Sequence, residues 1–117
     1  MKVLIVDDEE DIGMMVSKFL LNEGLQVIYE ARIKAARNRI ASDHFGLYFL
    51  DLNLPDGTGF DLIPEIRQKN KEAKIIVISA HDGVVEMKRA KEMKVDLFIK
   101  KPFTKRQVIE SVRQMRS

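Results

Sequence analysis

Short apolar runs recur along the chain at positions 3–6, 25–29, 47–50, 75–78 and 97–99. Each run is shorter than a typical helix, and most are rich in β-branched or aromatic residues, which favour strands. The segments between the runs mix apolar and polar residues with a helical spacing. The pattern therefore predicts five β-strands separated by helices.

The helical segments differ in the strength of their pattern. The segment that ends before Gly24 is the clearest, because apolar residues recur every three or four positions and a glycine stands where the helix would end. Near the end of the chain, Thr104 and Gln107 have capping-box spacing ahead of an apolar stripe. Segment 33–41 is weaker, and lysines interrupt the apolar face of segment 84–94.

The third helical segment, 59–68, contains Pro64. A proline inside a helix clashes with the carbonyl four residues back, so we expect this helix to start late or to be kinked. Strand and helix then alternate about five times along the chain. Such alternation is typical of a parallel sheet covered by helices.

The composition of the strands predicts their order in the sheet. The first, third and fourth runs are wholly apolar apart from Tyr48, as expected of strands buried on both faces. The second run carries Gln26 and Glu30, and the fifth is short and ends in Lys100-Lys101, so these two suit the edges. The predicted fold is α/β and flavodoxin-like: a doubly wound five-stranded parallel sheet of order 2-1-3-4-5 with helices on both faces.

Composition narrows the class of protein. The chain has 117 residues, of which 45% are hydrophobic and 32% charged, and this suits a single globular domain over 1–117. A net charge of +2 gives no argument for binding nucleic acid or a membrane surface. The absence of cysteine excludes disulfides and thiolate metal sites, and no apolar run approaches a membrane span. Met1-Lys2 leads straight into the first strand, which leaves no room for a signal peptide, so we expect a cytoplasmic location.

Polar residues follow the strands at the edge where α/β sheets form their sites. Asp7 and Asp8 follow the first strand, Asp51 ends the third, Ser79 follows the fourth and Lys101 the fifth. Clustered carboxylates repel one another, but they are the ligands that Mg²⁺ prefers, together with water and phosphate oxygens. Such a site favours phosphoryl chemistry, with Asp51 as carboxylate nucleophile and with Ser79 and Lys101 contacting the incoming group.

Four segments in order give the chain a family resemblance. They are VDDEE at 6–10, LDLNLPDG at 50–57, VISA at 77–80 and FIKKPF at 98–103. With these segments the chain resembles the receiver domain of bacterial two-component response regulators over essentially its whole length. The fold of that family has the strand order predicted above.

The resemblance implies roles for the pocket residues. Asp51 matches the aspartate that accepts a phosphoryl group from the phosphohistidine of a sensor histidine kinase or phosphotransfer protein. Asp7 and Asp8 match the acidic pair that binds Mg²⁺ (or Mn²⁺), and Asp51 and the backbone carbonyl of Asn53 complete the protein ligands. Ser79 fills the position whose hydroxyl turns toward the phosphoryl oxygen on switching.

Further implications concern the switch and the lifetime of the phosphoryl group. Lys101 matches the lysine of the family, and the Lys101–Pro102 peptide is expected to be cis. Phe98 fills the aromatic position that swings inward on phosphorylation, although it lacks the hydroxyl of the commoner tyrosine and also suits a plain core residue. Asn53 and His81 flank the path of the hydrolytic water and would tune the phosphoryl lifetime, while a loop-exposed histidine explains His81 equally well.

Two features near the pocket receive a local interpretation. Glu9 and Glu10 extend the acidic run, and we interpret them as a solvated helix start that the helix dipole favours. Lys94 stands where the family usually has a glycine before the fifth strand, which predicts strain in that turn.

The implied function is a phosphorylation-controlled signalling switch rather than a dedicated enzyme, with weak autophosphatase activity. The fourth helix, fifth strand and fifth helix would form the output face toward a downstream domain or protein, and phosphorylation would favour a homodimer.

Two alternatives stay open. One is an Mg²⁺-dependent phosphohydrolase with an aspartyl-phosphate intermediate, although such enzymes usually have an aspartate where this chain has Asn53. The other is a degenerate receiver that acts only as an interaction module. The chain suits either a free-standing receiver or the N-terminal domain of a longer regulator.

Overall fold

Five parallel strands form the centre of the molecule, which is described here by a computed structural model covering residues 1–81 and 83–116. Helices alternate with the strands and cover both faces of the sheet. The strands are β1 (Lys2–Val6), β2 (Gln26–Glu30), β3 (Leu47–Asp51), β4 (Lys74–Ser79) and β5 (Leu97–Lys100), and the helices are α1 (Glu10–Asn22), α2 (Ile33–Ser42), α3 (Ile63–Lys69), α4 (Val84–Glu92) and α5 (Lys105–Arg116). The strand order is β2-β1-β3-β4-β5, so the predicted fold class and strand order are confirmed.

Two apolar layers hold the helices against the sheet, because successive side chains of a strand point to opposite faces. On one face, Leu4 and Leu50 belong to a buried cluster with residues of α2, α3 and α4. On the other face, Ile5 and Phe49 pack with residues of α1 and α5. Strand β3 is buried at every position, whereas every residue of the edge strand β2 keeps some exposure.

The segment that contains Pro64 forms its helix late, as predicted. A short 3-10 turn spans Gly59–Leu62, and α3 begins only at Ile63. Pro64 therefore lies in the first turn of α3, where its missing N–H leaves no helical hydrogen bond unmade. Gly59 packs directly against the strand end, since a Cβ atom there would lie 2.3 Å from the carbonyl oxygen of Asp51.

Helices α1 and α4 end in the same way with different residues. Gly24 follows α1 with φ +82, and the N–H of Leu25 donates to the carbonyl of Leu20 at 3.1 Å. Lys94 follows α4 with φ 58, and the N–H of Val95 makes the equivalent bond to Ala90 at 3.0 Å. A side chain is disfavoured in this left-handed conformation, so the strain predicted for Lys94 is confirmed.

Helix α5 begins at the predicted capping box. The N–H of Thr104 donates to Gln107 Oε1 at 2.8 Å, and the N–H of Gln107 donates to Thr104 Oγ1 at 3.1 Å. Among the described residues, no helix is both long enough and apolar enough to cross a membrane.

Candidate functional site

The carboxyl ends of the strands bring the predicted site residues to one edge of the sheet. Asp7 follows β1, Asp51 is the last residue of β3, and Lys101 follows β5. The Lys101 ammonium lies 3.0 Å from Asp7 Oδ2 and 3.2 Å from Asp51 Oδ2. It also donates a hydrogen bond of 2.8 Å to Glu9 Oε1. The single positive charge of Lys101 therefore faces three carboxylates, so the site has a surplus of negative charge.

The two aspartates that face Lys101 are almost completely withdrawn from water. Asp7 is 0% exposed and Asp51 is 2% exposed. Asp7 Oδ1 accepts the N–H of Glu9 at 2.9 Å. Asp7 Oδ2 lies close to Lys101, yet it accepts no hydrogen bond from any described residue. A buried carboxylate oxygen without a donor is costly, so it provides an available ligand for a cation.

Burial and like charge make Asp51 unusually basic. Desolvation and the nearby charge of Asp7 raise the pKa of Asp51 to about 7, although the N–H of Asn53 and the Lys101 ammonium favour its ionised form. Burial by itself lowers the pKa of Lys101, but the hydrogen bond to Glu9 and the charge of Asp7 outweigh it and hold that pKa above its ordinary value. Lys101 is therefore a permanent positive charge beside a carboxylate that titrates near neutrality.

The acidic residues fit a hard divalent cation. Asp7, Asp8, Glu9 and Asp51 each offer one carboxylate oxygen, and these oxygens lie within 4.8 Å of one another. Carboxylate oxygens are the donors that Mg²⁺ takes, and the surplus negative charge together with the unbonded Asp7 Oδ2 favours a cation here. Asp8 is exposed at the open side of this cluster. The residues present thus fit the predicted magnesium site.

An open cavity of about 230 Å³ lies over Asp51 and is lined also by Asp8, Glu9, Asn53, Ala80, His81 and Lys101. The N–H of Asn53 donates to Asp51 Oδ1 at 3.2 Å, which orients the carboxylate. Both Asn53 and His81 are exposed beside the cavity. This arrangement gives a small anionic group direct access to Asp51.

Ser79 and Phe98 are not among the residues that line this cavity. Ser79 is fully buried, and its Oγ accepts the N–H of His81 at 3.0 Å. Phe98 is half-buried against the apolar cluster that includes Ala90 of α4, so it occupies a core position while its switch role stays a prediction. The Lys101–Pro102 peptide is cis, as the resemblance implies.

Two residues of the site make contacts that the sequence pattern does not predict. Glu9 is more than a solvated helix start, because its side chain reaches Lys101. Tyr29 of β2 donates its hydroxyl to the carbonyl of Asp7 at 2.6 Å, and its ring covers Gly13 so closely that a Cβ there would lie 2.2 Å from the ring. Burial, together with Asp7 and other nearby acids, raises the pKa of Tyr29 to about 12, so the hydroxyl stays a donor. The position of Glu9 directly after Asp7-Asp8 indicates that it lies near the site. The contact of Tyr29 joins distant parts of the chain, so no local sequence pattern predicts it.

Known proteins share both the sequence pattern and the fold. A family model described as the response regulator receiver domain matches residues 3–113. The chain is 32% identical over 114 residues to the transcriptional regulatory protein CssR of Bacillus subtilis, covering 97% of this chain and 50% of CssR. It is 35% identical over 119 residues to the sensory transduction protein LytR of Staphylococcus haemolyticus, covering 99% of this chain and 45% of LytR. The chain thus spans about half the length of these curated relatives.

Solved structures agree with this assignment. The non-phosphorylated HemR receiver domain of Leptospira biflexa superposes with a TM-score of 0.92 at 32% identity, covering 99% of this chain and 94% of that one. A CheY-like receiver domain protein of Methanospirillum hungatei gives 0.91 at 25% identity, covering 97% of this chain and 90% of that one. Since the family match spans nearly all of a chain with this strand order and this acidic pocket, the chain belongs to the receiver domain family of two-component response regulators.

Proposed function

We propose that this chain is a phosphoacceptor switch in a two-component phosphorelay and that Asp51 accepts the phosphoryl group. The donor is the phosphohistidine of a sensor histidine kinase or phosphotransfer protein. The observation that carries the proposal is the Asp51 carboxylate, which is buried at the base of an open cavity and lies 3.2 Å from the Lys101 ammonium. The family of the chain supports the same activity.

In the proposed transfer, an ionised oxygen of Asp51 attacks phosphorus, a P–O bond forms, and the P–N bond to the donor imidazole breaks. The hydrogen bond from the N–H of Asn53 to Oδ1 orients the attacking carboxylate. Lys101 supplies positive charge next to the oxygen that receives the phosphoryl group. The protein thus contributes position and electrostatics, which are the main requirements of phosphoryl transfer.

Asp7, Asp8, Asp51 and the backbone carbonyl of Asn53 would hold Mg²⁺ (or Mn²⁺) in this site. The ion supplies charge neutralisation for the phosphoryl oxygens when it is bound. The fit of these donors rests on the carboxylate oxygens that lie within 4.8 Å of one another and on the unbonded Asp7 Oδ2.

The new charge on Asp51 acts on the rest of the domain through two groups. We infer that Ser79 leaves the N–H of His81 and turns toward the phosphoryl group, while Lys101 pairs with its charge. Phe98 lies on the side of the sheet that carries α4, so its movement would reach the face formed by α4, β5 and α5. That face would engage an output domain or protein and favour a homodimer on phosphorylation.

Weak autophosphatase activity would return the switch to its resting state, with Asn53 and His81 beside the water path. Both residues border the cavity over Asp51, which supports this role. We further propose that the chain is the receiver part of a longer regulator, because it spans about half of its curated relatives. The proposed location of this regulator is the cytoplasm. In this proposal the domain itself contacts neither nucleic acid nor membrane.

The test is phosphorylation by a small donor. Acetyl phosphate and Mg²⁺ should add one phosphoryl group to the wild-type protein, as read by intact mass. Asp51→Asn and a sample without metal should both stay unmodified. Asp11→Asn is the matched control, since Asp11 is an exposed aspartate in the first turn of α1, and it should be modified like the wild type.

Trifluoroberyllate binding separates fast hydrolysis from an inactive pocket, because this phosphoryl mimic does not turn over. A folded wild-type protein that gains no adduct and binds no mimic would contradict the proposal. That result would favour the interaction-module alternative.

A further inference from the structure

Three carboxylates surround the Lys101 ammonium. A lysine has three N–H donors. Among the described residues, three carboxylate oxygens lie within 3.2 Å of Nζ, and they belong to Asp7, Glu9 and Asp51. Lys101 donates hydrogen bonds to Glu9 and Asp51 and lies 3.0 Å from Asp7 Oδ2. A phosphoryl oxygen on Asp51 therefore competes with these carboxylates for the ammonium.

The three carboxylates differ in how easily they can be released. The side chains of Asp7 and Asp51 are 0% and 3% exposed, so separating either one from Lys101 leaves a buried charge without its partner. The side chain of Glu9 is 57% exposed, and water can replace the ammonium at that oxygen. Glu9 is therefore the contact that yields at the least cost.

The backbone around Glu9 is fixed while its side chain is not. The N–H of Glu9 donates to Asp7 Oδ1 at 2.9 Å, and Glu9 precedes the first turn of α1. Its side chain makes no capping bond to the helix and extends instead to Lys101, which lies 92 positions further along the chain. Glu9 thus joins the loop after β1 to the loop after β5 through one exposed hydrogen bond.

We propose that Glu9 is a resting-state latch on Lys101. It is a positioning residue that holds one donor of the ammonium away from the phosphoryl position, so opening this contact frees that donor for the phosphorylated Asp51. The inference rests on the proposed function, and it deepens that function by naming a residue that slows it. A residue that assists the transfer would have the opposite effect when removed.

The experiment compares Glu9→Gln with Glu10→Gln. Both variants lose one negative charge from the same acidic run, but Glu10 is exposed and heads α1 beyond the lining of the cavity over Asp51. At saturating Mg²⁺ and acetyl phosphate, the maximal phosphorylation rate of Glu9→Gln should rise about threefold, the scale of one exposed ion pair. Glu9→Ala removes the acceptor entirely and should rise at least as much, and Glu10→Gln should match the wild type.

Two further readouts separate a latch from a structural role. Calorimetry gives the Mg²⁺ affinity of each variant, so a change in metal binding is not mistaken for a change in rate. The ¹⁵Nζ resonance of Lys101 reports the ammonium directly. It should shift in Glu9→Gln, with faster hydrogen exchange, and stay in place in Glu10→Gln.

Equal rates for Glu9→Gln and Glu10→Gln would overturn the latch and leave the proposed function intact. A slower Glu9→Gln at saturating Mg²⁺ would also overturn it, because Glu9 would then assist the transfer. A phosphoryl adduct on none of the proteins, wild type included, would instead overturn the proposed function and the latch with it.

Discussion

Lys69 and Lys101 show what the same ammonium group does in two different settings. Each contacts three oxygen atoms. For Lys69 these are backbone carbonyls at the end of α2, those of Ile40 at 2.6 Å, Ala41 at 3.1 Å and Asp43 at 2.7 Å. For Lys101 all three belong to ionisable carboxylates.

The acceptors around the two lysines differ in charge, and this difference separates a structural contact from the candidate site. Carbonyls at a helix end are neutral, do not repel one another strongly, and favour a cation through the helix dipole, so Lys69 completes a stable arrangement. The carboxylates around Lys101 repel one another, raise the pKa of Asp51, and leave Asp7 Oδ2 without a donor. The Lys69 cluster is satisfied as it stands, whereas the Lys101 cluster favours the arrival of a cation.

Asp51→Asn tests the cost of the surplus charge and carries the largest expected effect. The folded pKa of Asp51, about 7, exceeds its ordinary value of 3.8, so between these values the folded protein binds more protons than the unfolded chain. The free energy of unfolding therefore falls as the pH rises through this window, by up to about 4 kcal/mol for the full shift. The asparagine side chain carries no charge, so the variant should gain stability over wild type at pH 8 and none at about pH 4.

Urea unfolding at both pH values measures this difference. Mg²⁺ should reduce the advantage of Asp51→Asn at pH 8, since a bound cation offsets the repulsion that the substitution removes. Asp11→Asn should show no comparable gain. An Asp51→Asn protein that is less stable than wild type at pH 8 would contradict the comparison, because the Lys101 cluster would then resemble the satisfied one.

Lys69→Met tests the cluster of neutral acceptors around Lys69. We expect a smaller change in the free energy of unfolding, of opposite sign to that of Asp51→Asn. Methionine keeps the length of the side chain but leaves the three carbonyls without their cation, so the free energy of unfolding should fall by about 1–2 kcal/mol. Acetyl phosphate should still modify Asp51 at a rate within about twofold of wild type, a difference below about 0.5 kcal/mol. Lys71→Met, at an exposed lysine just beyond α3, is the matched control. Unchanged stability in Lys69→Met would remove the structural role assigned to the carbonyl contacts.

The contrast also marks what the sequence can predict. The strand order follows from composition, because strands buried on both faces exclude polar residues, and Gln26 and Glu30 identify an edge. The meeting of Asp7, Asp51 and Lys101 follows from parallel strands, whose carboxyl ends share one edge.

The contacts of Glu9, Tyr29 and Lys69 are not predictable in this way. Each depends on one side chain reaching an element that is distant in sequence: 92 positions for Glu9 with Lys101, 22 for Tyr29 with Asp7, and 26 to 29 for Lys69 with its carbonyls. Periodicity describes only which face of an element is apolar. It carries no information on where a long polar side chain ends.

Lys94→Gly gives the smallest effect and extends the comparison to backbone strain. Arg67 donates to the carbonyl of Lys94 at 2.9 Å, another cation on a neutral acceptor that helps to hold this turn in its left-handed form. Glycine relieves about 1–2 kcal/mol of strain but loses part of that gain to its greater freedom in the unfolded chain, so we expect a net gain of about 0.5–1 kcal/mol.

The reverse exchange, Gly24→Lys, isolates the backbone term. A Cβ at position 24 meets no atom within 4 Å, so the cost of about 1 kcal/mol comes from φ alone. If urea unfolding gives opposite shifts of similar size for the two variants, the ends of α1 and α4 differ only in strain. If Lys94→Gly is no more stable than wild type, the contact of Arg67 with the carbonyl at position 94 already offsets the strain. In that case Arg67→Met should lower the free energy of unfolding less in the Lys94→Gly background than in the wild type. Both turns lie at the amino ends of the strands, whereas Asp51 lies at the carboxyl end of β3. Neither exchange should therefore alter the rate of phosphorylation.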